Sequence, residues 1–257
     1  MFKKMKQGLS QLSQKSTWLP SIVIVLVAVL LLLPQLTSRG VIAGSDFLFH
    51  YNRFYETAMQ IKTGNFSYFM SLYGFYSSGR IVNALYGPYF AYFQGILVLI
   101  SKNWYTYQLL SRFLLSVIAG FSMYRLNRRA SVKTKIALGV AVFYMMTFSV
   151  QYWTFRQGFS SWGAAFMPWC LIPAVDFVRT KRVEVLRLAV SVAVMMQVHM
   201  LSCFLLILAY LPFYLYGFFK SDKKKEVFFK GVQSVLLSLL LTANVWAALV
   251  VVGQSNN

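Results

Sequence analysis

Long apolar runs alternate with short basic clusters along most of this chain. Apolar runs occupy residues 20–36, 105–124, 136–150, 162–178, 188–219 and 232–253. A helix needs roughly 20 mostly apolar residues to cross a hydrocarbon core of about 30 Å. The pattern therefore predicts an all-α, polytopic transmembrane helix bundle. The run 188–219 is too long for one ordinary helix and is expected to break near 199–202, giving seven spanning helices. Between the first two runs lies a long polar-aromatic stretch, 37–104. Within it, 85–101 is apolar but sits at the lower length limit for a span and carries Gly87-Pro88, Gln94 and Gly95. We read it as a juxtamembrane or re-entrant segment on the side of the first loop.

The basic residues support that count. Lys3, Lys4, Lys6 and Lys15 precede the first run. Arg125, Arg128, Arg129, Lys133 and Lys135 form the next cluster, then Arg179, Lys181, Arg182 and Arg187, then Lys220, Lys223, Lys224, Lys225 and Lys230. Lys and Arg are retained on the cytoplasmic side of membrane proteins. Seven crossings put all four clusters there, with the N-terminus cytoplasmic and the long first loop outside. Counting 85–101 as a crossing would invert every later cluster. The expected location is the cell membrane, with a single module over 1–257 and an uncleaved N-terminal anchor rather than a signal peptide.

Composition agrees. Hydrophobic residues make up 58% of the 257 residues, aromatic residues 18% and charged residues only 12%, too few charges to cover a soluble domain of this size. The net charge of +19 would suggest nucleic acid in a soluble protein. Here the basic residues sit in short clusters between apolar runs, so they report topology, and no nucleic-acid partner is expected. Cys170 and Cys203 lie inside apolar runs and read as small core residues.

Acidic residues are scarce. Asp176, Glu184, Asp222 and Glu226 lie at basic helix ends, and only Asp46 and Glu56 fall on the outer side. Ser45 or Asp46 is positioned to cap a helix. Asp46, His50 and Arg53, spaced four and three apart, share a helical face, with Glu56 three further on. This set suits an anionic headgroup, with or without a divalent cation (Mg or Mn): an Asp can bind a metal or take a proton from a hydroxyl, and an Arg can grip a phosphate. A capped interfacial helix with an internal salt bridge is the plainer alternative. Arg112, inside the second run, faces a cavity or a partner, or snorkels. Arg156, in an expected loop over 151–158, is a phosphate contact or an interfacial anchor. His199, at the expected helix break, is a ligand or a capped or buried residue. Tyr, Phe, Gly and Ser crowd 65–88, and aromatic rings there either bind sugars or seat the loop at the interface.

Several segments resemble a known group. Gly44-Ser45-Asp46-Phe47-Leu48-Phe49-His50, followed by Arg53 and Lys62-Thr63-Gly64-Asn65-Phe66, is similar to the first outer loop of bacterial membrane proteins labelled "6-pyruvoyl-tetrahydropterin synthase-related" and their YfhO-like relatives. Leu85-Tyr86-Gly87-Pro88-Tyr89-Phe90, and the stretches 144–156 and 162–168, resemble later parts of the same proteins. Those families look like members of the GT-C superfamily of polytopic glycosyltransferases. The resemblance implies a GT-C-like module with juxtamembrane helices in its first outer loop. It also implies transfer of a sugar from a polyprenyl-phosphate donor to a cell-envelope acceptor at the outer face. Carried over, Asp46 would be the catalytic or metal-binding acid; from position rather than motif, Arg53, Arg112 and Arg156 are candidates to hold the phosphate, and His50 and His199 to bind substrate. Two departures stand against it. Ser160-Ser161-Trp162 occupies the place of a second acid, and the chain ends where relatives continue, which would make it a fragment or half of a two-subunit system. A non-catalytic GT-C-like subunit, scaffold or flippase for lipid-linked sugars therefore stays open beside the enzyme, as does a partner membrane subunit.

Overall fold

The computed structural model describes residues 18–255, which are helical apart from loops and one isolated antiparallel bridge between Met70 and Ile81. Lys3, Lys4, Lys6 and Lys15 lie outside the described residues. The helices are α1 (Trp18–Leu30), α2 (Leu33–Ser38), α3 (Phe47–Thr63), α4 (Pro88–Ser101), α5 (Trp104–Arg129) and α6 (Thr134–Met145). They continue as α7 (Phe148–Arg156), α8 (Ser160–Thr180), α9 (Val185–Val198), α10 (Met200–Phe219), α11 (Lys224–Leu241) and α12 (Ala243–Ser255).

Among the described residues, five stretches are long and apolar enough to cross a membrane: Trp18–Ser38, Trp104–Arg129, Thr134–Arg156, Ser160–Thr180 and Met200–Phe219. A sixth is reached only if Lys224–Leu241 and Ala243–Gln254, bent by 63°, count as one. The expected seven are not reached, for two reasons. The helix α9 has 14 residues, about 21 Å at 1.5 Å per residue, short of an ordinary hydrocarbon core. The helix expected over 232–253 instead starts at Lys224 and breaks at Thr242, whose hydroxyl bonds back to the Ser238 carbonyl while accepting from Trp246 Nε1. Side-chain bonds of this kind compete with the helical ladder and bend it.

Packing settles which helix ends lie together. A Cβ on Gly120 of α5 would meet the Ile24 side chain of α1, and Arg112 donates to the Leu31 carbonyl. Residue numbers fall along α5 as they rise along α1, so the two run antiparallel and Trp18 lies toward Arg129. At that end Asp176 pairs with both Arg129 and Arg187, each at 3.7 Å, and Lys181 sits over the Tyr216 ring at 4.7 Å. The three basic clusters of the described chain thus gather at one end, called here the basic end. The opposite, aromatic end holds Trp104, Phe159 and His199, with the segment 39–87 folded over it.

The helix α4 begins and ends at the aromatic end. Its N-cap, Gly87, has φ +76° and lies so close to α9 that a Cβ would overlap the Gln197 carbonyl. Its last residue is followed within three by Trp104, the start of α5. A close pair of helices, α3 and α4, results, tightly packed because Gly95 has no Cβ to strike Thr57, whose hydroxyl donates to the Ala91 carbonyl at 2.8 Å. The aromatic core beneath it is built from Phe54, Phe90, Tyr107, Trp153, Phe159 and Trp162, all buried. A second core toward the other end joins Cys170, Met195, Cys203, Leu206 and Val245.

Candidate functional site

The expected site residues fall into three neighbourhoods at the aromatic end. The first is the entry to α3. Asp46 occupies the N-cap position, but its side chain makes no capping bond. It is exposed, and among the described residues its carboxylate has no ion pair. Gly44 abuts the end of α7 so closely that a Cβ would sit 3.1 Å from the Arg156 carbonyl oxygen, and Tyr152 Oη donates to Ser45 Oγ at 3.4 Å. Arg156 was expected in a loop. It is instead the last residue of α7, exposed, with Gln157 behind it in the left-handed region at φ +52°. The fold therefore brings the segments bearing the free acid and the free guanidinium side by side.

Beneath that surface lies the second neighbourhood, where His50, Arg53 and His199 meet. The face expected to carry Asp46, His50 and Arg53 together is split: Asp46 is exposed while His50 and Arg53 are 3% and 1% exposed. The His50 ring stacks on Phe159 at 4.2 Å, and Phe159 also touches the His199 ring at 6.2 Å. The Arg53 guanidinium donates to His50 Nδ1 (3.1 Å), Asn83 Oδ1 (3.1 Å) and the Tyr86 carbonyl (2.6 Å), and lies over the Tyr86 and Phe159 rings. No carboxylate pairs with it. Burial holds its pKa down at about 9. Burial, followed by repulsion from Arg53 and then His199, holds His50 down at about 2, so this imidazole is neutral and accepts at Nδ1. Burial, with Arg53 adding to it, also lowers His199, which caps α10 by accepting from Ser202 N–H. The guanidinium thus ties the 83–86 turn to α3, with one bond from each of its three nitrogens.

The internal salt bridge of the plainer alternative does not form between Arg53 and Glu56. Glu56, 1% exposed, accepts instead from the backbone N–H groups of Leu72 (2.9 Å), Tyr73 (2.7 Å) and Gly74 (2.6 Å) and from Gln60 Nε2 (2.7 Å). Four donors on one carboxylate fix the 72–74 turn against α3. Gly74 is required there, because a Cβ would overlap the Asn52 carbonyl.

The third neighbourhood is a buried polar chain that sequence reasoning missed. Arg112 Nη1 donates to Gln35 Oε1, Gln35 Nε2 to Gln108 Oε1 (2.6 Å), Gln108 Nε2 to Tyr51 Oη (2.7 Å) and Tyr51 Oη to Gln157 Oε1 (2.8 Å). Gln108 also holds both the N–H and the carbonyl of Ile42. Arg112 therefore faces partners rather than snorkelling, and it does not reach the Asp46 surface. It anchors a chain that ends at Gln157, beside Arg156. Gln35 and Gln108, amides within apolar helices, were the available signal. Membrane helices carry such groups only when they find partners.

The protein offers few oxygen or nitrogen ligands for a divalent cation. Asp46 is a lone exposed carboxylate, His50 is turned inward onto Phe159, and Glu56 is engaged by amides; among the described residues no three His, Cys, Asp or Glu form a metal-binding group. No family model, curated protein or solved structure matches the chain. Its functional reading rests on this geometry.

Proposed function

We propose that the chain is a membrane glycosyltransferase of the GT-C kind, with the basic end in the cytoplasm and the aromatic end at the outer face. It takes a sugar from a polyprenyl-phosphate donor and passes it to a cell-envelope acceptor. The observation that carries this reading is the pairing of the Asp46 and Arg156 segments: an acid and a guanidinium that have no ion pair among the described residues, both exposed, on backbones in contact. Asp46 takes the proton of the acceptor hydroxyl as its oxygen bonds to the sugar C1. The bond from C1 to the phosphate oxygen breaks, and the lipid phosphate leaves with that electron pair. Arg156 meets the charge developing on the phosphate. The proton held by Asp46 then passes to water. The buried residues position these two. Arg53 fixes the turn over α3, and the chain from Arg112 to Gln157 fixes the end of α7. No step runs through a metal ion.

One observation favours the non-catalytic alternative, a scaffold or flippase for lipid-linked sugars: Arg53 and Arg112 are already engaged, leaving Asp46 and Arg156 as the expected site residues exposed at the surface. Asp46→Asn separates the two. In membranes supplied with a labelled polyprenyl-phosphate sugar, the enzyme reading expects transfer to fall by about 10²–10⁴-fold with donor binding and insertion intact. Unchanged transfer would remove Asp46 from any catalytic role.

A further inference from the structure

At the opposite end from this site, α10 and α11 part to leave a groove, and its chemistry points to a lipid. A cavity of about 550 Å³ lies between α8, α9 and α10 on one side and α11 on the other, reaching from Val183 and Phe228 to Thr242 and Trp246. From Phe228 to Thr242 is about 21 Å of helix at 1.5 Å per residue, enough to take a hydrocarbon chain through one leaflet, half of a core of about 30 Å. The lining presents no free hydrogen-bonding group. Ser234, Ser238 and Thr242 donate to carbonyls of their own helix at 2.8, 2.7 and 2.8 Å. Tyr210 donates to the Cys170 carbonyl, Tyr214 to the Val227 carbonyl, and Trp246 Nε1 to Thr242 Oγ1. An occupant finds only hydrocarbon contacts there.

The chain just before the Phe228 end of the groove is different. A cup of about 770 Å³ is formed by residues 219–226, the turn from α10 into α11, two residues before Phe228. Five lysines against Asp222 and Glu226 give 220–230 a net charge of +3. Glu226 pairs with Lys230 at 2.8 Å and Lys223 at 3.8 Å. Lys220, Lys224 and Lys225 are exposed and, among the described residues, have no carboxylate within 4 Å. The first turn of α11 adds its own backbone N–H groups, with no side chain capping them.

We propose that this cup and groove bind one anionic phospholipid from the leaflet at the basic end, its phosphate against Lys224 and Lys225 and one acyl chain along α11. The groove opens sideways to that leaflet through exposed Ile207, Leu211, Val235 and Leu239, so the lipid enters without crossing the protein. Charge complementarity selects the headgroup and the dry lining selects the tail. The site is independent of the Asp46 reaction and stands or falls separately from it.

The test is native mass spectrometry of the full chain released from bilayers of equal phosphatidylglycerol and phosphatidylcholine. One phosphatidylglycerol per chain should be retained in preference to phosphatidylcholine, with the preference falling as salt rises. Lys224→Gln with Lys225→Gln should cut the preference by roughly 30-fold at low salt. Val235→Trp, at a position already facing lipid, should fill the groove and abolish retention, while Leu201→Trp, exposed near the start of α10, should leave it unchanged. Equal retention of the two lipids, or a preference that survives the double substitution or higher salt, would overturn the proposal. So would unaltered retention in Val235→Trp, or a dimer mass in place of the lipid.

Discussion

Glu56→Gln is the sharpest probe of how the outer segment is held. The carboxylate receives Leu72 N–H and Gln60 Nε2 on one oxygen and the N–H groups of Tyr73 and Gly74 on the other. Glutamine keeps one acceptor and turns the second into a donor. If the amide nitrogen faces Tyr73 and Gly74, both backbone donors are orphaned. If it faces Leu72, that N–H is orphaned, and Gln60 can adapt only by surrendering the bond it accepts from Tyr92 and the one it donates to the Ser67 carbonyl. At least two bonds are lost in either case, and the charge that strengthened the remaining ones is gone. An unsatisfied buried donor costs about 1–3 kcal/mol, so the turn should open more easily by roughly 2–4 kcal/mol. At a factor of ten per 1.4 kcal/mol, protection of the amides of Leu72, Tyr73 and Gly74 should fall by about 30- to 700-fold. Hydrogen exchange read by mass spectrometry in nanodiscs measures this, with Ser160–Thr180 as the internal reference that should not change. Unchanged protection at 72–74 would refute the idea that this carboxylate holds the turn.

The other predictions concern single contacts. Gly87→Ala should destabilise the chain by roughly 2–4 kcal/mol, combining a left-handed backbone with overlap onto the Gln197 carbonyl, and should lower Tm measurably in detergent. Arg112→Leu leaves Gln35 Oε1 and the Leu31 carbonyl without that donor and should cost about 1–3 kcal/mol. Adding Gln35→Leu should cost less than the sum of the single changes, as a thermal double-mutant cycle would show. His50 is held at about 2 in the fold against an ordinary value of 6.5. The unfolded chain therefore binds the proton first: stability is full above pH 6.5 and is lost as pH falls toward 2, at up to about 1.4 kcal/mol per pH unit. Tm compared at pH 7 and pH 5 should drop less in His50→Gln than in the native chain.

The helices were largely legible because lipid imposes length and apolarity on each one separately. Basic clusters then ordered the ends without knowledge of any contact, and Arg129, Asp176 and Arg187 meet where parity required. What escaped were features set by single tertiary bonds. The break at Thr242 lies inside a run that hydropathy reads as continuous. The end of α7 carries helix through residues whose polarity suggested a loop. In the site, spacing placed His50 and Arg53 together but could not tell that α3 would bury them and leave Asp46 in solvent. The partner of Glu56 lay 16–18 residues away on backbone amides, where no side-chain pattern announces it. Arg53 looked free to grip a phosphate because Asn83 and the Tyr86 carbonyl are distant in sequence.

The most direct test of the account is labelling of single cysteines in intact cells with a membrane-impermeant maleimide, in a background where buried Cys170 and Cys203 are replaced. Ser45→Cys, exposed beside Asp46, should label from outside, and Ser131→Cys, exposed in the turn between α5 and α6, should label only after the membrane is opened. Labelling of Ser131→Cys in intact cells with protection of Ser45→Cys would place Asp46 in the cytoplasm and contradict an outer-face transfer.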